Sequence, residues 1–395
     1  MKSAGADDIA RMGMLALAVA MGIGRFAFTP LLPMMQHDYQ LSVADGSWLA
    51  TANYVGYLAG ALAALAMPVA APAAIGGGML AIGLTTAAMG CAHDYLLWLV
   101  LRGLAGIASA WVMIYVSSWA LGQLAAMGKP ALSGRIFAGV GLGILAAGLA
   151  SLAMMSAHWS ADAAWIALGA GALLVAAMML RTLVAPTSTQ RRVSEPARSE
   201  SMRWTSEALR LVGCFATSGF GYIIPATFLP AMARGIIADP AVFGWSWPVF
   251  GAAAMLSTFA AARLRAVGHR RLWIFSQLLM AAGVAVPVLW HGMVAIIVSG
   301  VLVGGTFMVI TMAALSEAKA IAGAQAVGLL SAMTAAFAVG QLLGPVSVRL
   351  LVDTGRGFDM ALLMASGVLV AGSYILSRRP HERAYLRPPQ DLKLM

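Results

Sequence analysis

The sequence predicts an all-α polytopic membrane protein with twelve transmembrane helices, arranged as two parallel, pseudo-symmetric halves of six. Composition, the spacing of apolar runs and an internal repeat support this class. The chain has 395 residues, of which 61% are apolar and 10% charged, and its mean hydropathy is +0.85. A soluble domain has about 45–50% apolar and about 25% charged residues. A water-soluble fold is therefore excluded.

Twelve apolar runs are long enough to cross a bilayer, for which a helix needs about 20 residues. They lie at about 9–36, 47–67, 74–92, 95–120, 134–156, 161–183, 206–232, 241–262, 272–290, 293–315, 325–350 and 358–377. Each run is expected to be helical, because unpaired backbone groups are costly in lipid. The polar stretch 184–205 carries two prolines and four arginines. We therefore expect six-helix domains at 1–183 and 206–395, joined by this linker.

Lys and Arg are distributed unevenly between the two sides of the membrane. With the N-terminus in the cytoplasm, twenty of the 25 basic residues lie inside, three lie outside and two lie within spans. Short cytoplasmic loops carry an excess of Lys and Arg. We therefore expect a multi-pass protein of the cytoplasmic (inner) membrane with both termini and the linker in the cytoplasm. The net charge of +10 then reflects topology, and no nucleic-acid partner is expected.

The two halves align at a fixed offset of 197 residues. Residues 22–35, GIGRFAFTPLLPMM, stand over residues 219–232, and Gly143 matches Gly340 without a gap. Six spans return the chain to the side where it began, so the repeat is of the parallel type. We expect the halves to superpose by a rotation about the membrane normal. The repeat also indicates that the first helix is retained, since its counterpart lies mid-chain.

This organisation resembles the major facilitator superfamily over essentially the whole chain. Residues 22–35 are similar to the first helix of its uncharacterised YbfB/YjiJ-type branch, and Arg102-Gly-Leu-Ala-Gly106 resembles the fourth-helix Arg-xxx-Gly pattern. The resemblance implies a secondary transporter. Residues that resemble the fifth-helix glycine motif, which implies close helix packing, are Gly139, Gly143, Gly340, Gly344 and Pro345.

Two cytoplasmic loops depart from the superfamily pattern. The loop after the second helix usually carries Gly-x-x-x-Asp-Arg-x-Gly-Arg-Arg, whereas here residues 67–73 contain no charge. The loop between the eighth and ninth spans keeps a partial version at residues 265–271, without the acid. The charge latch that the resemblance implies is therefore incomplete.

Arg25 and Arg102 are the basic residues that lie well inside the apolar runs. Arg25 lies about 24 Å from the inner end of its span and Arg102 about 10 Å from the outer end, at a helical rise of 1.5 Å per residue. A charge within the bilayer is costly and indicates function. Because guanidiniums match carboxylate, phosphate or sulfonate groups, we expect both residues to bind an anionic substrate. The alternative is that both donate to helix-end carbonyls and lock the outer gate, with Asp45 folding back onto Arg25.

Other polar and aromatic residues complete the predicted substrate site. Asn53 and Tyr57 share one face of the second span, although an interhelical hydrogen bond is an equal alternative for Asn53. Weaker candidates are Tyr115, Trp111 and Gln341. For each aromatic residue, helix packing or an interfacial belt is the alternative.

The internal repeat adds three residues to the predicted site. Tyr222 occupies the repeat position of Arg25, and Ser299 occupies that of Arg102. Thr306 lies two turns after Ser299 on the same face.

The motifs of other protein classes are missing from the sequence. It has no nucleotide-binding motif and no pairing of nucleophile, base or metal ligands, so we expect neither an enzyme nor a cofactor. Two cysteines exclude a disulfide framework. We expect a monomeric secondary transporter of a small molecule, with a proton or another ion as candidate coupling partner. The alternatives are an exporter of apolar or drug-like compounds and, in another class, a membrane sensor or receptor.

The charge asymmetry makes the topology testable. Ser194→Cys in the linker, in a background with Cys91→Ser and Cys214→Ser, is expected to react with a membrane-impermeant maleimide only after cells are permeabilised. Asp239→Cys, in a predicted outer loop, should react in intact cells and serves as the control. Labelling of Ser194→Cys from outside intact cells would overturn the topology.

Overall fold

The computed structural model describes residues 5–67, 69–183, 204–234, 245–264, 267–290, 292–352 and 357–378. These ranges are predominantly helical, and no strand occurs within them. Almost all of the predicted linker lies outside the described residues, as do the two chain ends. Their cytoplasmic location stays a prediction.

Twelve helices lie within the described residues. In chain order they are α1 (Ala6–Tyr39), α2 (Val43–Ala66), α3 (Ala71–Met89), α4 (Tyr95–Ala126), α5 (Ser133–Ser156), α6 (Ala161–Leu183), α7 (Ser206–Arg234), α8 (Ser246–Ala261), α9 (His269–Leu289), α10 (Met293–Ala322), α11 (Ala326–Val352) and α12 (Gly357–Ser377). A 3₁₀ turn, Gly323–Gln325, connects α10 to α11.

Ten helical segments in the described part of the chain are long and apolar enough to cross a membrane. One of them, Met293–Val348, contains both α10 and most of α11, whereas α8 has 16 residues and falls below the length of the others. An all-helical, multi-pass membrane protein is thereby confirmed. The count of twelve spans and the division into two halves stay predictions.

The first helix changes its winding where the predicted site lies. It is α-helical over Ala6–Leu17, π-helical over Ala18–Phe26 and α-helical again over Phe28–Tyr39. A π segment bonds residues five apart and often occurs at functional sites. Arg25 is at the end of this segment and is 3% exposed. The change in winding therefore coincides with the buried charge.

Glycines allow close contact between α1 and α5 and between α7 and α11. A Cβ atom at Gly143 would overlap the backbone of Ala18, and one at Gly139 would overlap the carbonyl of Met14. In the second pair, a Cβ atom at Gly340 would overlap the carbonyl of Ala216. Gly143 and Gly340 are 197 residues apart, so positions matched by the repeat make matching helix contacts.

The central helices come together around one cavity. Helices α5 and α8 pack at short range through Gly141, which faces the backbone of Met255, and Gly148, which faces Pro248. Helix α2 packs against both α4 and α11. The cavity is lined by side chains from six helices, which are α1, α2, α4, α7, α10 and α11.

The acid missing from the loop motif at 265–271 is supplied by another helix. Glu207, in the first turn of α7, accepts from Arg270 at 2.5 Å and from Arg210 at 3.0 Å. Arg270 also donates to the carbonyl of Leu376 on α12 at 2.8 Å. The cluster therefore joins the N-terminal ends of α7 and α9 to the C-terminal end of α12.

The contact between α1 and α5 makes a packing prediction testable. Gly143→Val places a branched side chain against the Ala18 backbone, so the midpoint of thermal unfolding should fall, since overpacking costs about 1–3 kcal/mol. Gly171→Val on α6 carries the same loss of helix propensity but meets open space, and it should unfold close to wild type. Equal midpoints for the two variants would contradict the close contact.

Candidate functional site

A narrow cavity lies where six helices meet, and its free space is about 20 Å³. That is room for about one water molecule. A solute can therefore enter only when the surrounding helices separate. Residues that line the cavity are Met21, Arg25, Phe26, Tyr57, Met113, Phe215, Tyr222, Phe307, Met308, Thr311, Leu315, Thr334, Phe337 and Gln341.

Arg25 brings a positive charge into this cavity. Its Nη2 donates a hydrogen bond to Oε1 of Gln341 on α11. Its guanidinium lies over the ring of Tyr57, 4.0 Å from the centroid, and 5.4 Å from that of Tyr54. Cation–π contacts of this kind are worth about 2 kcal/mol or more when they are desolvated. Aromatic faces and one amide oxygen thus stabilise the cation.

Polar groups beside the cavity remain without partners. No Asp or Glu of the described residues forms a salt bridge with Arg25. Nε of Arg25 and Nε2 of Gln341 are buried and make no hydrogen bond within the described structure. A buried donor without a partner costs about 1–3 kcal/mol. One of these donors belongs to the cation and the other to its partner Gln341, and together they suit an anionic acceptor.

Arg102 occupies a different environment and is not among the residues that line the cavity. It is 3% exposed, and it donates to the carbonyls of Gly24 at 3.4 Å and Arg25 at 3.2 Å. Its guanidinium lies 4.7 Å from the ring centroid of Phe28. Arg102 therefore bonds to carbonyls within α1, and whether it binds substrate or locks a gate stays a prediction.

Asn53 bridges three helices. Its Nδ2 donates to the carbonyl of Gly24 on α1 at 3.2 Å and to that of Arg102 on α4 at 3.0 Å. Asn53 is fully buried and lies outside the cavity lining, unlike Tyr57 on the same helix. The interhelical alternative for Asn53 is the one that this geometry matches.

The residues predicted from the repeat separate into two groups. Tyr222 lines the cavity and stacks on Phe307, with ring centroids 4.9 Å apart. Ser299 is fully buried but outside the lining, and Thr306 donates to the carbonyl of Leu302 at 2.6 Å in its own helix. On α10 the cavity hydroxyl belongs to Thr311.

Asp45 caps α2 instead of pairing with Arg25. The Asp45 amide donates to Oγ of Ser42 at 3.1 Å, and the Ser42 amide donates to the Asp45 carboxylate at 3.0 Å. Such a reciprocal capping box stabilises a helix N-terminus. The fold-back of Asp45 onto Arg25, which belonged to the gate-lock alternative, does not occur in the described structure.

Sequence reasoning missed the phenylalanines of the cavity. Phe215 and Tyr222 are seven residues apart on α7, and Phe337 and Gln341 are four apart on α11, so each pair shares a helix face. That spacing is the signal that could have found them. Gln341 ranked among the weaker candidates, yet it bonds directly to Arg25.

Comparison with known proteins gives one family. A family model described as "Uncharacterised MFS-type transporter YbfB" matches residues 17–377. The match includes every residue that lines the cavity. No curated protein matches the chain.

The shared contact with the Gly24 carbonyl makes the role of Arg102 testable. Arg102→Met and Asn53→Leu should each lower the free energy of unfolding, by about 1–3 kcal/mol. Because both residues bond to one carbonyl, the double variant should lose less than the sum of the two.

Thr258 provides the control for this double-mutant cycle. It bonds to carbonyls of its own helix, α8, so Thr258→Val should add to Arg102→Met without coupling. Strict additivity between Arg102→Met and Asn53→Leu would contradict a joint role in holding α1.

Proposed function

This chain belongs to the YbfB-type family of MFS transporters, and from that premise we propose that it is a secondary active transporter for a small organic anion. The resemblance predicted from residues 22–35 is thereby confirmed at the level of the family. The transporter works by alternating access, in which the halves 1–183 and 206–395 rock about a central site. It resides in the cytoplasmic membrane with both termini in the cytoplasm.

One observation carries the proposal, and it is the environment of Arg25. A guanidinium that is removed from water without a carboxylate partner is costly. An anion that enters the cavity relieves this cost and gains charge-assisted hydrogen bonds, for which the planar Arg group is well suited. Arg25 is then the primary anchor. Arg102 assists by donating to the α1 carbonyls of Gly24 and Arg25, which precede and follow the Cα atom of Arg25.

The bond between Arg25 and Gln341 supports a link between binding and movement. It connects α1 in the first half with α11 in the second. An anion that accepts from Nε of Arg25 and Nε2 of Gln341 ties both helices to one ligand. A ligand that binds one conformation more tightly shifts the equilibrium toward it, so occupancy favours the state in which α1 and α11 approach each other.

A second candidate function is the export of apolar or drug-like compounds. The observation in its favour is the cavity lining, where aromatic and methionine side chains outnumber polar ones. Among the described residues that line the cavity, Arg25 is the one that carries a charge. In this function the contact between Arg25 and Gln341 holds the two halves together and does not touch the solute.

Substitution at Arg25 distinguishes the two functions. Purified protein is screened by thermal shift against small carboxylates, sulfonates, amino acids, sugars and lipophilic cations, since a bound ligand raises the unfolding midpoint. We expect an anion to stabilise wild type and to be transported in proteoliposomes. Arg25→Lys keeps the charge without the planar fork and should weaken binding, whereas Arg25→Gln should abolish it.

The control for charge removal is Arg11→Gln. Arg11 is exposed and pairs with Asp8, so its loss should change neither binding nor transport. If Arg25→Gln binds the anion normally but unfolds early or stalls in one conformation, Arg25 is a gate lock. The exporter function then takes precedence.

A further inference from the structure

Four aromatic rings line one continuous part of the cavity. Tyr222 stacks on Phe307 with centroids 4.9 Å apart and planes 16° apart. Phe337 lies 6.3 Å from Tyr222 at 25° and 4.9 Å from Phe215 at 32°. All four residues border the cavity. These four rings contact one another in sequence, and we call them the aromatic wall.

Further aromatic rings contact this wall. Phe250 lies 5.2 Å from Phe307 at 24°, and Trp247 stacks on Phe250 at 5.6 Å and 9°. At the other end, Trp273 meets Phe215 edge-on at 5.9 Å. Each offset or edge-to-face pair adds about 0.5–1.5 kcal/mol beyond area burial. The rings are therefore held in place, which makes the wall suited to a flat, rigid ligand.

The polar end of the same cavity suits one negative charge. Arg25 supplies a single cation, and Arg102, the other arginine that is buried among the described residues, is bonded to α1 carbonyls. The partnerless donors are Nε of Arg25 and Nε2 of Gln341, and one carboxylate has two oxygens that can accept from two donors. A second charge on the ligand would be buried among apolar side chains without a partner, at high cost.

We propose that the transported anion is a flat aromatic monocarboxylate. Its carboxylate binds at Arg25 and Gln341, and its ring packs against the aromatic wall. The inference rests on the proposed function, because it assigns a ligand class to the same site. The helices separate to admit the ligand, since the free space here holds about one water molecule.

Five probes test each feature of this ligand class. They are benzoate, cyclohexanecarboxylate, acetate, benzamide and terephthalate, and their dissociation constants are measured by titration calorimetry with the full chain in detergent. Benzoate should bind most tightly. Cyclohexanecarboxylate, which lacks the flat ring, should bind about 2- to 12-fold more weakly, the effect of one aromatic pair. Benzamide lacks the charge and terephthalate has a second one, so each should bind at least about tenfold more weakly.

A substitution in the wall tests the contact with the ring. Phe307→Leu should weaken benzoate about 2- to 12-fold and leave acetate unchanged. Phe337→Leu provides a second test if the first variant does not fold. Phe137→Leu is the control, since Phe137 is a fully buried phenylalanine outside the cavity lining, and it should not alter benzoate binding.

Each adverse outcome identifies which statement fails. The aromatic inference is overturned, and anion transport stands, if cyclohexanecarboxylate binds as tightly as benzoate. The same holds if Phe307→Leu and Phe337→Leu both leave the affinity for benzoate unchanged while Arg25→Gln abolishes binding. If no probe binds but another anion in the thermal-shift screen does, the result is the same. If benzamide equals benzoate and Arg25→Gln has no effect, both statements fail.

Discussion

The buried guanidinium of Arg25 is the constraint on which the centre of this protein depends. A cation in an apolar interior must find acceptors, because its solvation by water is lost. Here the acceptors are an amide oxygen of α11 and the π faces of tyrosines on α2. Satisfying one side chain of α1 thus brings three helices together. Nε of Arg25 and Nε2 of Gln341 have no hydrogen-bond partner within the described structure, and they form the polar end of the cavity.

Close contact between helices is the second requirement. Arg25 lies in the interior because glycines on a neighbouring helix allow that helix to approach α1 closely. Gly143 lets α5 touch the α1 backbone at Ala18, where the π-helical segment begins, and Gly139 does so at Met14, one turn earlier. Arg102 and Asn53 then hold the Gly24 carbonyl from α4 and α2. The contact with α5 and the hydrogen bonds from α2 and α4 therefore all fix the same part of α1.

The cavity combines two chemistries that favour different ligands when each is taken alone. The partnerless donors of Arg25 and Gln341 favour an anion, and the stacked rings of Tyr222 and Phe307 favour an apolar body. An aromatic carboxylate satisfies both, whereas a purely apolar compound leaves the cation without an acceptor. This joint demand is the physical reason to connect the charge with the aromatic wall in one ligand.

The sequence by itself determined the helical membrane class, the family, and the buried charge at Arg25. These follow from local properties, since each helix in lipid must pair its own backbone groups and a charge stands out within an apolar run. Tertiary packing alone decided that Arg25 meets Gln341, 316 residues away, and that Arg102 bonds to α1 outside the cavity. The reason is that sequence reports position along a helix, whereas the partner of a side chain depends on helix rotation and on which helices become neighbours.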